Sequence, residues 1–363
     1  MYKKFFMGIA AMAALTLVSC SSDDLNSLSD NSSKNEAISF DGYLGRSAVA
    51  VNGSRGSVLT IDNLQTEGFG VFGNYSSTET ENATFGTNLF NNVKVTGTTS
   101  KGSTTWTYGG VKYWPLQGHI DFLAYAPHET GKTLKNTSCI DFTVESKAAD
   151  QKDLLWAKAE KQTTTTIAST GNKVKFHFAH ALSRLGFTVK LNGKPSTDAA
   201  ITLKSIKLAG SVSATESTPG AFYTGGDLNL ATGLWDETTL LNKQNFDWFS
   251  GSKEVTSTSQ SNTQFNTDYL FVIPQNFSQT QTGNTLYVIV EYTIQYTDVK
   301  GSDGQPVIMT NKVYKQLTTD FAQGKAYMIN LTIGRPIEFD AEVKEWGTDI
   351  PVGSDNDSWD VIE

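Results

Sequence analysis

Charge is scarce in this chain. Only 18% of its 363 residues are Asp, Glu, Lys or Arg, against about 25% in an average soluble domain. The polar surface is therefore left to Ser, Thr, Asn and Gln, which dominate runs such as Gln162–Thr170 and Ser257–Thr267. Positive charge is in deficit, with a net charge of −8. That argues against nucleic acid as a partner, because no basic excess exists to displace counterions from phosphates. The two cysteines, Cys20 and Cys139, exclude a disulfide framework. No apolar run reaches the ~20 residues of a membrane-spanning helix. G-x-S-x-G, H-E-x-x-H and C-x-x-C do not occur, so hydrolase-elbow and zinc signatures are missing. Asp355, Asp357 and Asp360 lack the Gly and Glu spacing of a calcium loop. The expectation is a chain that is no enzyme and has neither metal nor cofactor.

What is abundant points to strands. There are 20 Phe, 13 Tyr and 7 Trp but only 5 Met, and aromatic residues favour pleated, half-buried surfaces. Apolar residues recur with period two from Ala37 onward. Ile38, Phe40 and Leu44 alternate with Ser39, Asp41 and Tyr43. Further strands are expected at Val49–Val51, Val58–Ile61, Gly68–Tyr75, Tyr113–Trp114, Ile120–Tyr125, Ile140–Val144 and Asp153–Ala157. The Thr-rich stretch Gln162–Gly171 interrupts the pattern as a hairpin loop or a domain boundary. Strands resume at Val174–Phe178, Gly186–Leu191, Ile201–Leu208, Gly226–Leu230 and Tyr269–Ile273. Leu286–Tyr296, Val313–Leu317, Ala326–Ile333 and Ile337–Val343 complete the set. Single helical turns are expected at Lys147–Asp153 and His177–Leu185. Many short strands separated by Gly, Pro, Ser and Asn predict an all-β chain of β-sandwich architecture, and the length predicts two domains.

The N-terminus carries an export signal. Lys3 and Lys4 precede an apolar run of fourteen residues, Phe5–Val18, the length of a signal-peptide core. It ends Leu17-Val18-Ser19-Cys20, which resembles the lipobox of bacterial lipoproteins. That resemblance implies cleavage before Cys20 and attachment of a fatty acid such as palmitate to it, which anchors a chain without spanning the membrane. Ser21-Ser22-Asp23-Asp24 resembles the acidic signal that sends Bacteroidetes lipoproteins to the outer face of the outer membrane. The expected parts are residues 1–19 as signal peptide, 20–36 as acylated Cys and polar tether, 37–168 as a first sandwich and 169–363 as a second with its tail.

Five stretches carry a further resemblance. They are Phe69-Gly70-Val71-Phe72, Tyr113-Trp114-Pro115, Ile120–Pro127, Asp153–Ala157 and Phe178–Leu185. In order and spacing, over roughly residues 37–350, the chain resembles the fimbrillins, the type V pilins of Bacteroidetes. The resemblance implies two tandem transthyretin-like β-sandwich domains and a structural or adhesive role in surface fimbriae. It also implies other fimbrial subunits as partners, an Arg-directed protease that matures the precursor, and a host or bacterial surface receptor.

Arginine is rare, and Arg46 and Arg55 fall close together between small residues, the setting of a nicking site. In the family such a cut removes the first strand, and the exposed groove takes a strand from another subunit. Here the removed strand would bring Ile38, Phe40 and Leu44 with it. A vacated groove leaves unpaired backbone groups and an apolar trench, which strand addition satisfies together. Apolar alternation near the end of the chain offers Ile350 and Val352, or Trp359 and Val361, as donor.

A second function remains open: a lipid-anchored glycan-binding sandwich using Trp106, Tyr108, Tyr113 and Trp114 as a sugar platform. Other apparent motifs read as structural. Gly68–Gly73 fits G-x-G-x-x-G but lies within a strand instead of opening a helix. His180 reads as a hydrogen-bonded packing residue. A nucleophilic Cys139 would need a nearby His or other positive group to form the thiolate; in an apparent strand it reads as a small buried side chain.

Overall fold

The computed structural model describes residues 36–44, 59–78, 88–101, 103–192, 199–213, 220–278, 283–333, 338–345, 350–351 and 360–361. The first half carries β1 (Phe40–Leu44), the helix α1 (Ile61–Glu67), β2 (Phe69–Ser76), β3 (Phe90–Ser100) and β4 (Ser103–Tyr108). β5 (His119–Ala126), β6 (Cys139–Thr143), β7 (Leu155–Gln162), a short helix α2 (Thr164–Ile167) and β8 (Val174–His180) follow. The second half begins with β9 (Ser183–Leu191), β10 (Ala199–Ala209), β11 (Phe222–Tyr223), β12 (Gly225–Asn229), β13 (Lys243–Gln244) and β14 (Phe246–Glu254). β15 (Gln260–Ser261), β16 (Leu270–Val272), β17 (Gln275–Asn276), β18 (Tyr287–Lys300) and β19 (Pro306–Gln316) come next. β20 (Asp320–Phe321), β21 (Lys325–Ile333), β22 (Glu338–Glu345), β23 (Ile350–Pro351) and β24 (Asp360–Val361) end it.

Seven strands of the first half form one sheet, in the order β1-β8-β7-β5-β2-β3-β4. β1 runs parallel to β8, and every other neighbour in the sheet is antiparallel. The second half builds a five-stranded sheet, β14-β10-β18-β19-β24, and a six-stranded one containing β15-β9-β21-β22-β23 with β16 against β9. The chain is thus all-β and sandwich-like, as its periodicity predicts.

Two apolar cores result, and the middle of the first sheet serves both. β5 is buried along its whole length. Phe69, Val71, Ile120, Phe122 and Ala124 face the first core, while Phe72, Leu123 and Tyr125 face the second. The alternation of side chains across a strand makes one backbone serve two cores. β6, from the first half, pairs with β12 from the second, and Ile140, Phe142 and Val144 pack into the second core.

The structure corrects several local expectations. Ile61 opens the helix α1 instead of ending a strand. The Thr60 side chain caps it by accepting from the Asn63 N–H, Asp62 sits in its first turn, and Gly68 ends it at φ 78°. His177–Leu185 is no helical turn: it spans the end of β8 and the start of β9. Phe178, Leu182 and Leu185 share helical spacing, but all three satisfy their apolar side chains from two strands and the bend between them. The Thr-rich interruption contains α2, closed by a reciprocal Thr163–Thr166 capping box. Ala148–Asp150 does form one 3₁₀ turn. β3, β4 and β14 escape the sequence reading because much of each is exposed and polar.

Candidate functional site

β1 is the terminal strand of its sheet, and the sequence pattern of its residues determines how it is held. Ile38, Phe40 and Leu44 are buried, whereas Tyr43 is exposed. Phe40 sits at the centre of an aromatic cluster. Its ring centroid lies 5.3 Å from Tyr108, 5.5 Å from Phe90 and Phe122, and 5.7 Å from Phe176. The spacings, with Phe176 stacked and the other three rings tilted or edge-on, are those of favourable aromatic pairing. One backbone edge of β1 pairs with β8, from Phe40 opposite Val174 to Leu44 opposite Phe178.

The other edge is held differently. β4, from the far end of the sheet, curls round to meet it. The Tyr108 hydroxyl donates to the Ile38 carbonyl at 2.7 Å, and Trp106 Nε1 donates to Asp41 Oδ1 at 3.1 Å. Just beyond β4, the Ile38 N–H donates to the Lys112 carbonyl at 2.8 Å and the Trp114 N–H to the Glu36 carbonyl at 2.9 Å. β1 therefore closes a seam between the two ends of one sheet. Burial raises the pKa of the Tyr108 phenol, despite its bond from the Lys112 N–H, so the hydroxyl stays a donor at neutral pH.

The end of this region is fixed by a buried carboxylate. Asp153 Oδ2 accepts the Leu59 N–H at 3.0 Å and lies 2.9 Å from His180 Nδ1. His180 is thus hydrogen-bonded in a packed setting. Arg46 and Arg55 lie between Leu44 and Leu59, outside the described residues, as do Cys20, Val352 and Trp359. Ile350 and Val361 are in paired strands. β23 lies beside β21 and β22, and β24 pairs with two residues of β19 at the margin of the five-stranded sheet.

The sugar-platform reading needs correction. Trp106 and Trp114 are buried and Tyr108 is half-buried, because all three pack into the first core or its rim. Only Tyr113 of the four is exposed, at 54%. Cys139 is a free, buried thiol whose pKa burial pushes upward, which disfavours the thiolate. Gly68–Gly73 begins at a helix C-terminus and runs into β2. No group of three or more His, Cys, Asp or Glu side chains among the described residues is arranged to hold a metal. No described helix is long and apolar enough to cross a membrane.

Sequence reasoning missed Trp106, Tyr108 and Asp41 as parts of this site. The Thr104-Thr105-Trp106-Thr107-Tyr108 alternation puts both aromatics on one face of a strand. That was the available signal, but it does not say which strand the face meets.

Comparison with known proteins gives consistent results. A sequence profile described as fimbrillin-like matches residues 58–346, a range that begins after β1. Fim1C, a candidate fimbrium subunit of Bacteroides uniformis, is 32% identical over 148 residues, which cover 39% of this chain and 45% of that protein. The matched part thus spans less than half the length of this curated relative. A crystal structure of a fimbrial protein from Bacteroides vulgatus superposes with a TM-score of 0.64 at 22% identity, over 85% of this chain and 99% of that one. At that identity the likeness is one of fold.

Proposed function

The chain belongs to the fimbrillin-like family, and from that premise we propose that it is a fimbrial subunit of the bacterial cell surface that assembles by exchange of β1. It reaches the outer membrane as a precursor anchored through acylated Cys20. An Arg-directed protease cuts after Arg46, or else after Arg55, and frees both the lipid anchor and β1. The groove then takes a strand from another subunit. A host or bacterial surface receptor is the adhesive partner, and no catalytic step is assigned. The same reading divides the chain into two sandwiches; because Val174, Phe176 and Phe178 of β8 pack in the first core, the cores favour a divide after β8 over one near residues 168–169, and β6 is shared across it.

The observation that carries the proposal is the way β1 is held. Its inward side chains complete the first core, yet among the described residues the backbone ladder of Phe40–Leu44 runs along β8 alone, with two further backbone bonds on the other side just before it, at Glu36 and Ile38. Such a strand comes away without breaking a central ladder. It leaves an apolar trench that water fills poorly: exposing three side chains of the size of Ile, Phe and Leu costs roughly 4–9 kcal/mol. Refilling by a strand from another molecule is heterologous, so it builds an open filament and not a closed ring.

The test is to treat the purified chain with an arginine-specific protease, sequence the new N-terminus and examine the product by electron microscopy. Filaments that require the cut support the reading. A chain cut after Arg46 that remains monomeric at high concentration rules out a self-assembling shaft role.

A further inference from the structure

Trp106 belongs to β4, yet its indole lies against β1, and two glycines make room for it. A Cβ added to Gly42 would meet Trp106 Cζ2 at 3.1 Å and Phe69 Cε1 at 3.2 Å. A Cβ added to Gly97, the cross-strand partner of Trp106, would meet Trp106 Cζ3 at 3.0 Å and Gln65 Cγ at 2.8 Å. Carbon atoms normally rest about 3.5–4.0 Å apart. The ring therefore cannot retreat from Gly42 without pressing on Gly97, while Phe69 holds it from the side at a centroid distance of 5.2 Å. The Nε1 bond to Asp41 sets its orientation.

Gly42 is on the buried face of β1, in line with Ile38, Phe40 and Leu44. The face thus reads apolar, aromatic, bare, apolar, and the indole occupies the space at the bare position. A slip of two residues would drive a side chain into the indole. A slip of one would turn the whole apolar set outward.

We propose that Trp106 is the register key of the β1 groove. Any strand that fills the groove must offer no side chain where Gly42 lies, a hydrogen-bond acceptor where Asp41 lies and an aromatic ring where Phe40 lies. The proposal rests on the reading that β1 is exchangeable, and it names the chemistry of the replacing strand. The chain's own tail does not meet it. Setting Ile350 and Val352 in the places of Ile38 and Phe40 puts Ser354 under the indole and Gly353 where the acceptor belongs. Setting Trp359 and Val361 there puts Glu363 under the indole. The donor is then a strand of a different subunit, with the order apolar, any, aromatic, acceptor, Gly, any, apolar.

Two measurements test this. In the intact chain, Gly42→Ala and Gly42→Val lower the melting temperature, and Trp106→Phe, which trims the ring that meets Gly42, makes those losses smaller. Purely additive effects overturn the key. In an Arg55→Lys, Arg335→Lys background the chain is cut after Arg46 and offered labelled peptides spanning residues 38–44, with Gly or Val at position 42, or the peptide 350–356. The Gly peptide is expected to bind at least about tenfold more tightly than the other two, and Trp106→Phe is expected to narrow the gap between Gly and Val. Equal binding of the Gly and Val peptides overturns the key, and tight binding of the tail peptide overturns the claim of a different donor. Failure of every peptide to bind overturns the exchange reading and the partner claim with it, while the intact-chain measurement still decides the Trp106–Gly42 contact.

Discussion

The Tyr108 hydroxyl donates a 2.7 Å hydrogen bond to the Ile38 carbonyl across seventy residues of sequence. The bond crosses the seam where β4 meets β1. Along most of β1 this seam is joined by side chains, where β8 offers a backbone ladder on the other side. Side-chain closure lets the strand complete the core without being locked into a continuous barrel.

Removing that hydroxyl is the mildest way to weaken the seam. Tyr108→Phe keeps the ring beside Phe40 and leaves the Ile38 carbonyl and the Lys112 N–H each without one partner. The expected loss is about 1 kcal/mol, read as a lower urea midpoint, with faster release of β1 after proteolysis. An unchanged midpoint counts against the seam bond as a contributor.

Phe40 and Tyr43 are expected to behave oppositely although three residues apart. Phe40→Ala empties the centre of the aromatic cluster and should cost about 3–5 kcal/mol. Tyr43 is exposed, so Tyr43→Ala should change stability by no more than about 0.5 kcal/mol. Thermal melts of the two variants side by side check the contrast.

Asp153 ties three distant pieces of chain together. It has almost no exposure and accepts from the Leu59 N–H while pairing with His180. Asp153→Ala leaves both donors without this acceptor and should cost about 1–3 kcal/mol. Asp153→Asn keeps one acceptor oxygen and should lose less. Equal losses for the two in denaturant titrations would remove the hydrogen-bonding argument.

Tyr125 supplies a pH signature. Burial pushes its pKa up to about 12, outweighing the hydrogen bonds from the Glu129 N–H and to Asn92. The folded pKa exceeds the ordinary phenol value of 10.0. Its contribution to stability is therefore fully present below pH 10 and is lost as pH rises towards about 12. Spectrophotometric titration should show a late phenol that disappears in Tyr125→Phe, and the variant's stability should fall less steeply over that window.

The anchor has a direct check. Metabolic labelling with a fatty-acid analogue should mark the wild-type chain and not Cys20→Ser. Equal labelling of the two proteins removes the lipobox assignment.

Strand content was legible where burial of one face imposes period two on the side chains, as in β1 and β8, or where a short apolar run is buried on both faces, as in β2 and β5. These four strands read correctly for that reason. β3 and β4 did not, since Thr, Ser, Lys and Asn cover most of their exposed surface. The helix α1 was misread at Ile61 although Thr60, Asp62 and Gly68 carry its capping signals. A run of three apolar residues, Val58, Leu59 and Ile61, outweighed them.

The residue order by itself determined which side chains of β1 face inward and which face water. It also determined that the fold is all-β, because both follow from local alternation and aromatic content. Only the tertiary structure decided that β1 lies at the seam of its sheet, and that Trp106 fills the space above Gly42. The reason is separation: Trp106 and Asp41 are sixty-five residues apart. A glycine that yields its space to a distant indole has the same local signature as a glycine in any turn.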